Sequence, residues 1–140
     1  VFNDGDPDNN GLRAYRHMVS LNSGSQWQRF GLITDIIFAS ALPQSRGDLY
    51  SVVLMPHYML TPKLQLVGRY TYAGSDSATG VRLSSRYDRH VDALAGDRGD
   101  DYQAWYVGLN YYIYGHKLKL MAGVEHTTLS RPTGRYSGLT

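Results

Sequence analysis

The sequence predicts an all-β protein: an antiparallel, up-and-down β-barrel of the transmembrane kind, represented by about six long strands that form a portion of a larger barrel. Three observations predict it. The composition holds eleven Asp to one Glu, eleven Arg to three Lys, twelve Tyr and fifteen Gly; helix surfaces use Glu, Lys, Gln and Ala, whereas strands take aromatics and turns take Gly and Asp. Apolar and polar residues alternate with a period of two over runs far longer than the five or so residues of an ordinary strand. Short and long connections also alternate along the chain, the pattern of a barrel with tight turns on one rim and loops on the other.

The elements follow in order. Residues 1–11 are polar turn material, and a weakly alternating strand runs from Leu12 to Leu21. Asn22-Ser23-Gly24-Ser25 reads as a turn. From Gln26 to Ala39 the even positions Phe30, Leu32, Ile36 and Phe38 are apolar, opposed by Arg29, Gly31 and Asp35. Residues 41–48 form a loop. Between Leu49 and Leu60 the even set is Tyr50, Val52, Leu54, Pro56, Tyr58 and Leu60, and Thr61-Pro62 makes a two-residue turn. Between Lys63 and Tyr72 the even set Leu64, Leu66, Gly68, Tyr70 and Tyr72 opposes Lys63, Gln65, Arg69 and Thr71. Residues 74–101 break the rhythm and read as one long external loop. From Tyr102 to Tyr114 the odd positions Trp105, Val107, Leu109, Tyr111 and Ile113 form an apolar ridge. After a turn at Gly115, the even positions Leu118, Leu120, Ala122 and Val124 oppose Lys117, Lys119 and Glu125, and 130–140 reads as loop.

Length and charge narrow the function. At 140 residues the chain is one domain, and residues 1–140 are read as a single partial barrel domain. Fourteen basic against twelve acidic residues is too balanced for a nucleic-acid binder with a basic face. The absence of cysteine removes disulfides, thiolate zinc sites and cysteine nucleophiles. No apolar run approaches the length of a membrane-spanning helix, which leaves spanning strands untouched. The chain starts at Val1 without a basic and then apolar segment, so an export signal is expected to have been removed or never included.

Alternation by itself shows one apolar face, which a soluble barrel points inward and a membrane barrel outward. Tyr50 and Tyr58 bound one apolar stretch about 26 Å apart, or about 20 Å along the membrane normal after a ~40° tilt, close to the height of a lipid-facing band. Trp105, Tyr111 and Ile113 mark another such stretch, so Tyr50, Tyr58, Trp105 and Tyr111 are the expected interfacial aromatic belt. The opposite face carries Arg29, Asp35, Arg69, Asn110, Lys117, Lys119 and Glu125. An Arg on the lipid side near midplane would cost about 2–4 kcal/mol, so this face is expected to line water. Arg69, Lys117, Lys119 and Arg29 are the expected anion-guiding residues, with Asp35 and Glu125 placed to pair with them. Six strands are fewer than the smallest closed barrel of this kind, so its edges require further strands.

The segments GDLYSVVLMPHYMLTPKLQLVGRYTY and YQAWYVGLNYYIYGHKLKLMAGVEHT, separated by an Arg-containing loop, resemble the carboxy-terminal part of the phosphate-selective porin O/P family over roughly 47–129. The pieces that carry the resemblance are Leu60-Thr61-Pro62-Lys63-Leu64, Gly68-Arg69-Tyr70 and Gly108-Leu109-Asn110-Tyr111-Tyr112. The resemblance implies a sixteen-stranded porin of the bacterial outer membrane, commonly a homotrimer, that passes phosphate and other anions or small solutes by diffusion. Such a porin is not an enzyme and needs no cofactor. The chain departs from it in being about a third of the length and in lacking the closing strand, 130–140 reading as the loop before it.

Other signals point elsewhere only weakly. Asp4-Gly5-Asp6-Pro7-Asp8-Asn9-Asn10 has alternate acids as calcium loops do, but Asn9 and Tyr15 stand where an EF-hand needs Gly and Glu, which favours a solvated turn over a loosely held calcium. Arg98-Gly99-Asp100 reads as charged loop. His17, His57, His90, His116 and His126 show no zinc spacing, and there is no G-x-S-x-G elbow. Arg82, Arg86 and Arg89 read as solvated loop rather than as an anion collector at a pore mouth. The rival readings are a soluble antiparallel barrel holding an apolar ligand, and a structural envelope segment that completes a barrel with a partner chain.

Overall fold

The computed structural model describes residues 2–3, 15–41, 47–78, 80–82, 98–114, 117–131 and 134–139. Their strands are β1 (Phe2–Asn3), β2 (Tyr15–Trp27), β3 (Phe30–Ala41), β4 (Leu49–Thr61), β5 (Leu64–Ser75), β6 (Val81–Arg82), β7 (Arg98–Gly99), β8 (Asp101–Tyr114), β9 (Leu118–Arg131) and β10 (Gly134–Leu139). One antiparallel sheet has the order β1-β2-β3-β4-β5-β8-β9-β10, and β6 pairs with β7 inside the connection between β5 and β8. Each long strand lies beside its neighbour in sequence, so the topology is up-and-down. The sheet does not close: β1 and β10 are its edges. The all-β, up-and-down prediction is what the structure shows, in the form of an open strip.

Within 1–11, read as turn material, Phe2 and Asn3 pair with β2, and within 74–101, read as one loop, β6 pairs with β7 through Val81↔Gly99 and Arg82↔Arg98. The elements differ from the sequence reading in three further places. β2 runs straight through Asn22–Ser25, and the turn stands at Gln28 and Arg29, where Gln28 takes the left-handed φ of 50° that tight hairpins use. All four residues stay in the ladder, pairing from Asn22↔Asp35 to Ser25↔Leu32, and the start of that stretch is tied across it by side chains. Asn22 Nδ2 donates to Asp35 Oδ1 at 2.9 Å and Ser20 Oγ donates to the same oxygen at 3.1 Å. The second difference is one residue of register, the β4–β5 turn being Pro62-Lys63, with Thr61 Oγ1 accepting from the backbone N–H of Leu64 at 3.0 Å. The third is the carboxy-terminal stretch. Residues 130–140 are not a loop, because β9 continues to Arg131 and β10 pairs with it from Gly134↔Arg131 to Leu139↔His126.

Among the described residues the sheet has no second layer, and its small core sits at the long-loop end. Val81 of β6 and Leu129 of β9 are buried together, with Leu49, Ala73, Tyr102 and Tyr136 packed around them. The stem of the 76–100 connection is thereby pinned against the sheet, and the Asp100 N–H donates to the Ser130 carbonyl at 3.1 Å. The sequence-predicted turn at residue 115, the acidic stretch 4–10, and Arg86, Arg89, His90 and His116 lie outside the described residues; Arg82 is described in its backbone alone.

Candidate pore wall and its opposite face

Register assigns every paired residue to a face, since partners directly across a ladder project the same way. On one face stand Ser20, Asn22 and Gln26 of β2, Asp35 of β3, His57 of β4, Gln65 and Arg69 of β5, Tyr106, Asn110 and Tyr112 of β8, and Lys119 and Glu125 of β9. These side chains bond to one another between strands. His57 Nε2 donates to Gln26 Oε1 at 3.1 Å across the bare backbone of Gly31, where a Cβ would sit 2.2 Å from that imidazole nitrogen. Gln65 Oε1 accepts from Asn110 Nδ2 at 2.9 Å and from Tyr112 Oη at 2.7 Å.

The centre of this face is built around one row. Arg69, Tyr106 and Glu125 are in register across β5, β8 and β9. Arg69 passes over the Tyr106 ring, its guanidinium carbon 5.3 Å from the ring centroid, and forms an ion pair with Glu125 on the far strand. Such a bridge over an intervening strand requires the ring to lie down. Gly108 and Gly123, which face each other, provide the room: a Cβ on either would come within 2.4 Å of the Tyr106 hydroxyl oxygen. The Glu125 side chain is 7% exposed and that of Arg69 36% exposed.

The other face is apolar and open. With a register position on it are Val19, Leu21 and Trp27 of β2, Phe30, Ile36 and Phe38 of β3, Tyr50, Leu54 and Tyr58 of β4, Leu66 of β5, Trp105, Val107, Leu109 and Tyr111 of β8, and Leu118, Leu120 and Val124 of β9, all exposed. Ile33 and Met121 are the exposed large hydrophobics that fall on the polar face among the described residues.

These apolar residues form a band that runs at a slant to the ladder. At its long-loop border are Phe38 and Tyr50, in register with each other; then Tyr72, level with Val52; then Trp105, level with Tyr70 and through it Leu54; then Val124, level with Val107 and Gly68. Beyond that border the same face turns polar, with Ser40 on β3, Gln103 and Asp101 on β8, and His126, Thr128 and Ser130 on β9. Between β3 and β9 the border climbs about six residues in four strand steps, and at ~3.3 Å per residue and ~4.8 Å per strand this is a slope of about 45°. The short-turn border moves the same way, from Phe30 level with Tyr58 to Leu118 beyond Tyr111. Aromatic rings follow both borders. Tyr50 and Tyr72 are 5.8 Å apart by centroid and Tyr70 and Trp105 4.2 Å on one side, and Trp27 and Phe30 stack at 5.9 Å on the other.

The sequence-predicted residues fall as follows. Tyr50 and Trp105 stand on the long-loop border, and Tyr58 and Tyr111 toward the short-turn border. Arg69 and Lys119 are on the polar face, Lys119 level with Tyr112 and exposed. Arg29 is in the β2–β3 turn, not on a strand face, because the preceding strand ends at Trp27; Lys117 is likewise a turn residue. The four cations are therefore not one cluster. The expected pairing of Glu125 with a cation of the polar face is present, and its partner is Arg69. Sequence reasoning missed the bed of Gly108 and Gly123 beneath Tyr106, because only the register of β8 against β9 brings the two glycines together. It also missed Phe38, Tyr70 and Tyr72 as border rings. Among the described residues no three His, Asp or Glu gather as a metal site. Comparison with protein-family models, with curated proteins and with solved structures finds no match.

Proposed function

We propose that these strands are a length of the wall of a bacterial outer-membrane β-barrel, with the apolar face against lipid and the polar face along a water-filled passage for anions such as phosphate and for small solutes. The observation that carries this reading is the slanted, exposed apolar band edged on both sides by aromatic rings. Strands of membrane barrels tilt by 35–45°, and a belt level with the bilayer must then cross the ladder at that slope. Amphipathic rings favour the headgroup level at both borders. A soluble barrel tilts its strands too, but it gains nothing from rings confined to two borders or from a polar, mutually bonded opposite face.

The mechanism is electrostatic and not catalytic. Fixed positive charge along a wet passage lowers the energy of an entering anion, while weak binding lets it leave. Lys119 has no ion-pair partner among the described residues and supplies that charge on the wall. Arg69 is largely neutralised by Glu125, so it shapes the wall more than it attracts. Arg29 and Lys117 add positive charge at the short-turn rim. The edge strands β1 and β10, and the lengths of β2 and β9 that they leave uncovered, present backbone groups that hydrocarbon cannot satisfy, so further strands flank them, from the same barrel or from a partner chain. Homotrimeric assembly belongs to the same reading.

Both tryptophans, Trp27 and Trp105, stand on the apolar face at opposite borders. Phospholipids brominated near the headgroup end of the acyl chains are expected to quench their fluorescence strongly in reconstituted bilayers, deep bromines less, and aqueous iodide weakly. Strong iodide quenching without lipid quenching removes the reading. For the assembled barrel, the reversal potential under a salt gradient is expected to be anion-selective and to shift toward cations in Lys119→Glu.

A further inference from the structure

The apolar band is interrupted by a notch. Gly68 and Pro56 lie side by side in its middle rows, and with Phe30, His57, Tyr58, Leu66, Val67 and Val107 they line an open recess of about 250 Å³ whose surface is almost wholly carbon. A band in contact with fluid chains needs no such recess. Gly68 does not owe its small size to the fold, since a Cβ there would meet its nearest atom, Pro56 Cγ, at an ordinary 3.4 Å.

The notch opens beside the short-turn rim, where charge is one-sided. Arg29 precedes Phe30, and its carbonyl accepts the Met59 N–H at 2.8 Å, next to Tyr58. Lys63 lies three residues before Leu66, about 10 Å along the strand. Lys117 stands on the next turn. All three lysines of the chain and Arg29 gather at this end, and the stretches 22–34, 49–75 and 102–124 contain no Asp or Glu. Arg29 and Lys63 are exposed at the tips of adjacent turns, and their long stems let the charged ends reach toward either face.

We propose that this corner of the sheet binds an anionic phospholipid, with one acyl chain seated in the notch over Gly68 and the phosphate held by Arg29 and Lys63. Charge complementarity selects the occupant: a recess sized for a chain segment, placed one headgroup length from a pair of cations without acidic neighbours, fits a lipid phosphate better than a neutral lipid. The proposal rests on the apolar face being the lipid face.

The test is flotation of the full chain with vesicles of phosphatidylcholine alone and with phosphatidylglycerol admixed. The chain is expected to float with both, and to be retained about tenfold more tightly by the anionic vesicles at low salt. The double variant Arg29→Gln/Lys63→Gln is expected to remove that preference and still float. Gly68→Leu fills the notch and is expected to reduce the number of phosphatidylglycerol molecules carried through detergent, counted by native mass spectrometry. Equal retention by both vesicle types, or a preference untouched by the double variant, overturns the lipid site and leaves the membrane reading standing. Failure to float with either vesicle overturns both.

Discussion

The two faces of β8 and β9 carry side chains of similar size under opposite rules. On the polar face a residue is placed by a particular partner: Arg69 by Glu125, Tyr106 by two glycines, Asn110 by Gln65. On the apolar face, between the border rings, a residue is placed by height, as the exposed side chains of Val107, Leu109 and Val124 show. Partner-specific order suits a surface that meets water, where unsatisfied polar groups choose among alternatives. Order by height suits a solvent that varies only with depth. The difference makes the faces separable by experiment.

The largest effect is expected from breaking the rule of height. Val107 is 57% exposed in the middle of the band. In Val107→Arg, an apolar surrounding costs about 2–4 kcal/mol of stability, whereas an aqueous one leaves the change within about 0.5 kcal/mol. Thr71→Arg, on the polar face, serves as the control and is expected to cost little. Urea titration of chain reconstituted in lipid vesicles, followed by tryptophan fluorescence, measures both. Equal costs at the two positions would erase the distinction between the faces.

A smaller effect tests partner-specific order. Glu125→Ala leaves Arg69 over Tyr106 without its counter-charge. Because about a third of the Arg69 side chain is exposed, water moderates the loss, and about 1–2 kcal/mol is expected instead of the 3–5 of a fully buried pair. In the double variant Arg69→Met/Glu125→Leu most of that loss is expected to return, as neither charge is stranded. A double-mutant cycle with coupling near zero would show that the ion pair does not organise the face.

The two kinds of order also differ in how legible they were. Height is written locally: the alternation in β4, β5 and β8 placed Tyr50, Tyr58, Trp105 and Tyr111 on one face with no knowledge of pairing. Where a strand leaves the band the signal vanishes. β10 carries Arg135, Ser137 and Gly138 at levels where both faces are polar, so its alternation is invisible and it reads as loop. β2 departs from its sequence reading for a related reason, because Asn22, Ser23, Gly24 and Ser25 are turn residues by propensity and are held extended by pairing with β3, where Asn22 also bonds to Asp35. Partners are not local at all. Arg69 and Glu125 are 56 residues apart, and only the register of three strands brings them into one row.

The finest test of the polar face concerns its glycine bed. Gly123 is exposed to the polar face's solvent, and a methyl group there would stand 2.4 Å from the Tyr106 hydroxyl oxygen and 2.6 Å from the ring carbon that bears it. These are the far atoms of a side chain, so Gly123→Ala lifts the ring instead of breaking the backbone, and Arg69 loses the surface it passes over. The expected cost is about 1 kcal/mol, set by one displaced ring and a weakened cation–π contact. Strand propensity works the other way, since Ala suits an extended backbone better than Gly does. Tyr106→Ser should therefore reverse the sign: with no ring to displace, Gly123→Ala becomes neutral or slightly stabilising. The same substitution measured in both backgrounds by urea unfolding separates the two contributions. An identical penalty with and without the Tyr106 ring would mean that Gly123 serves the backbone, and that the bed under Tyr106 plays no part in arranging the wall.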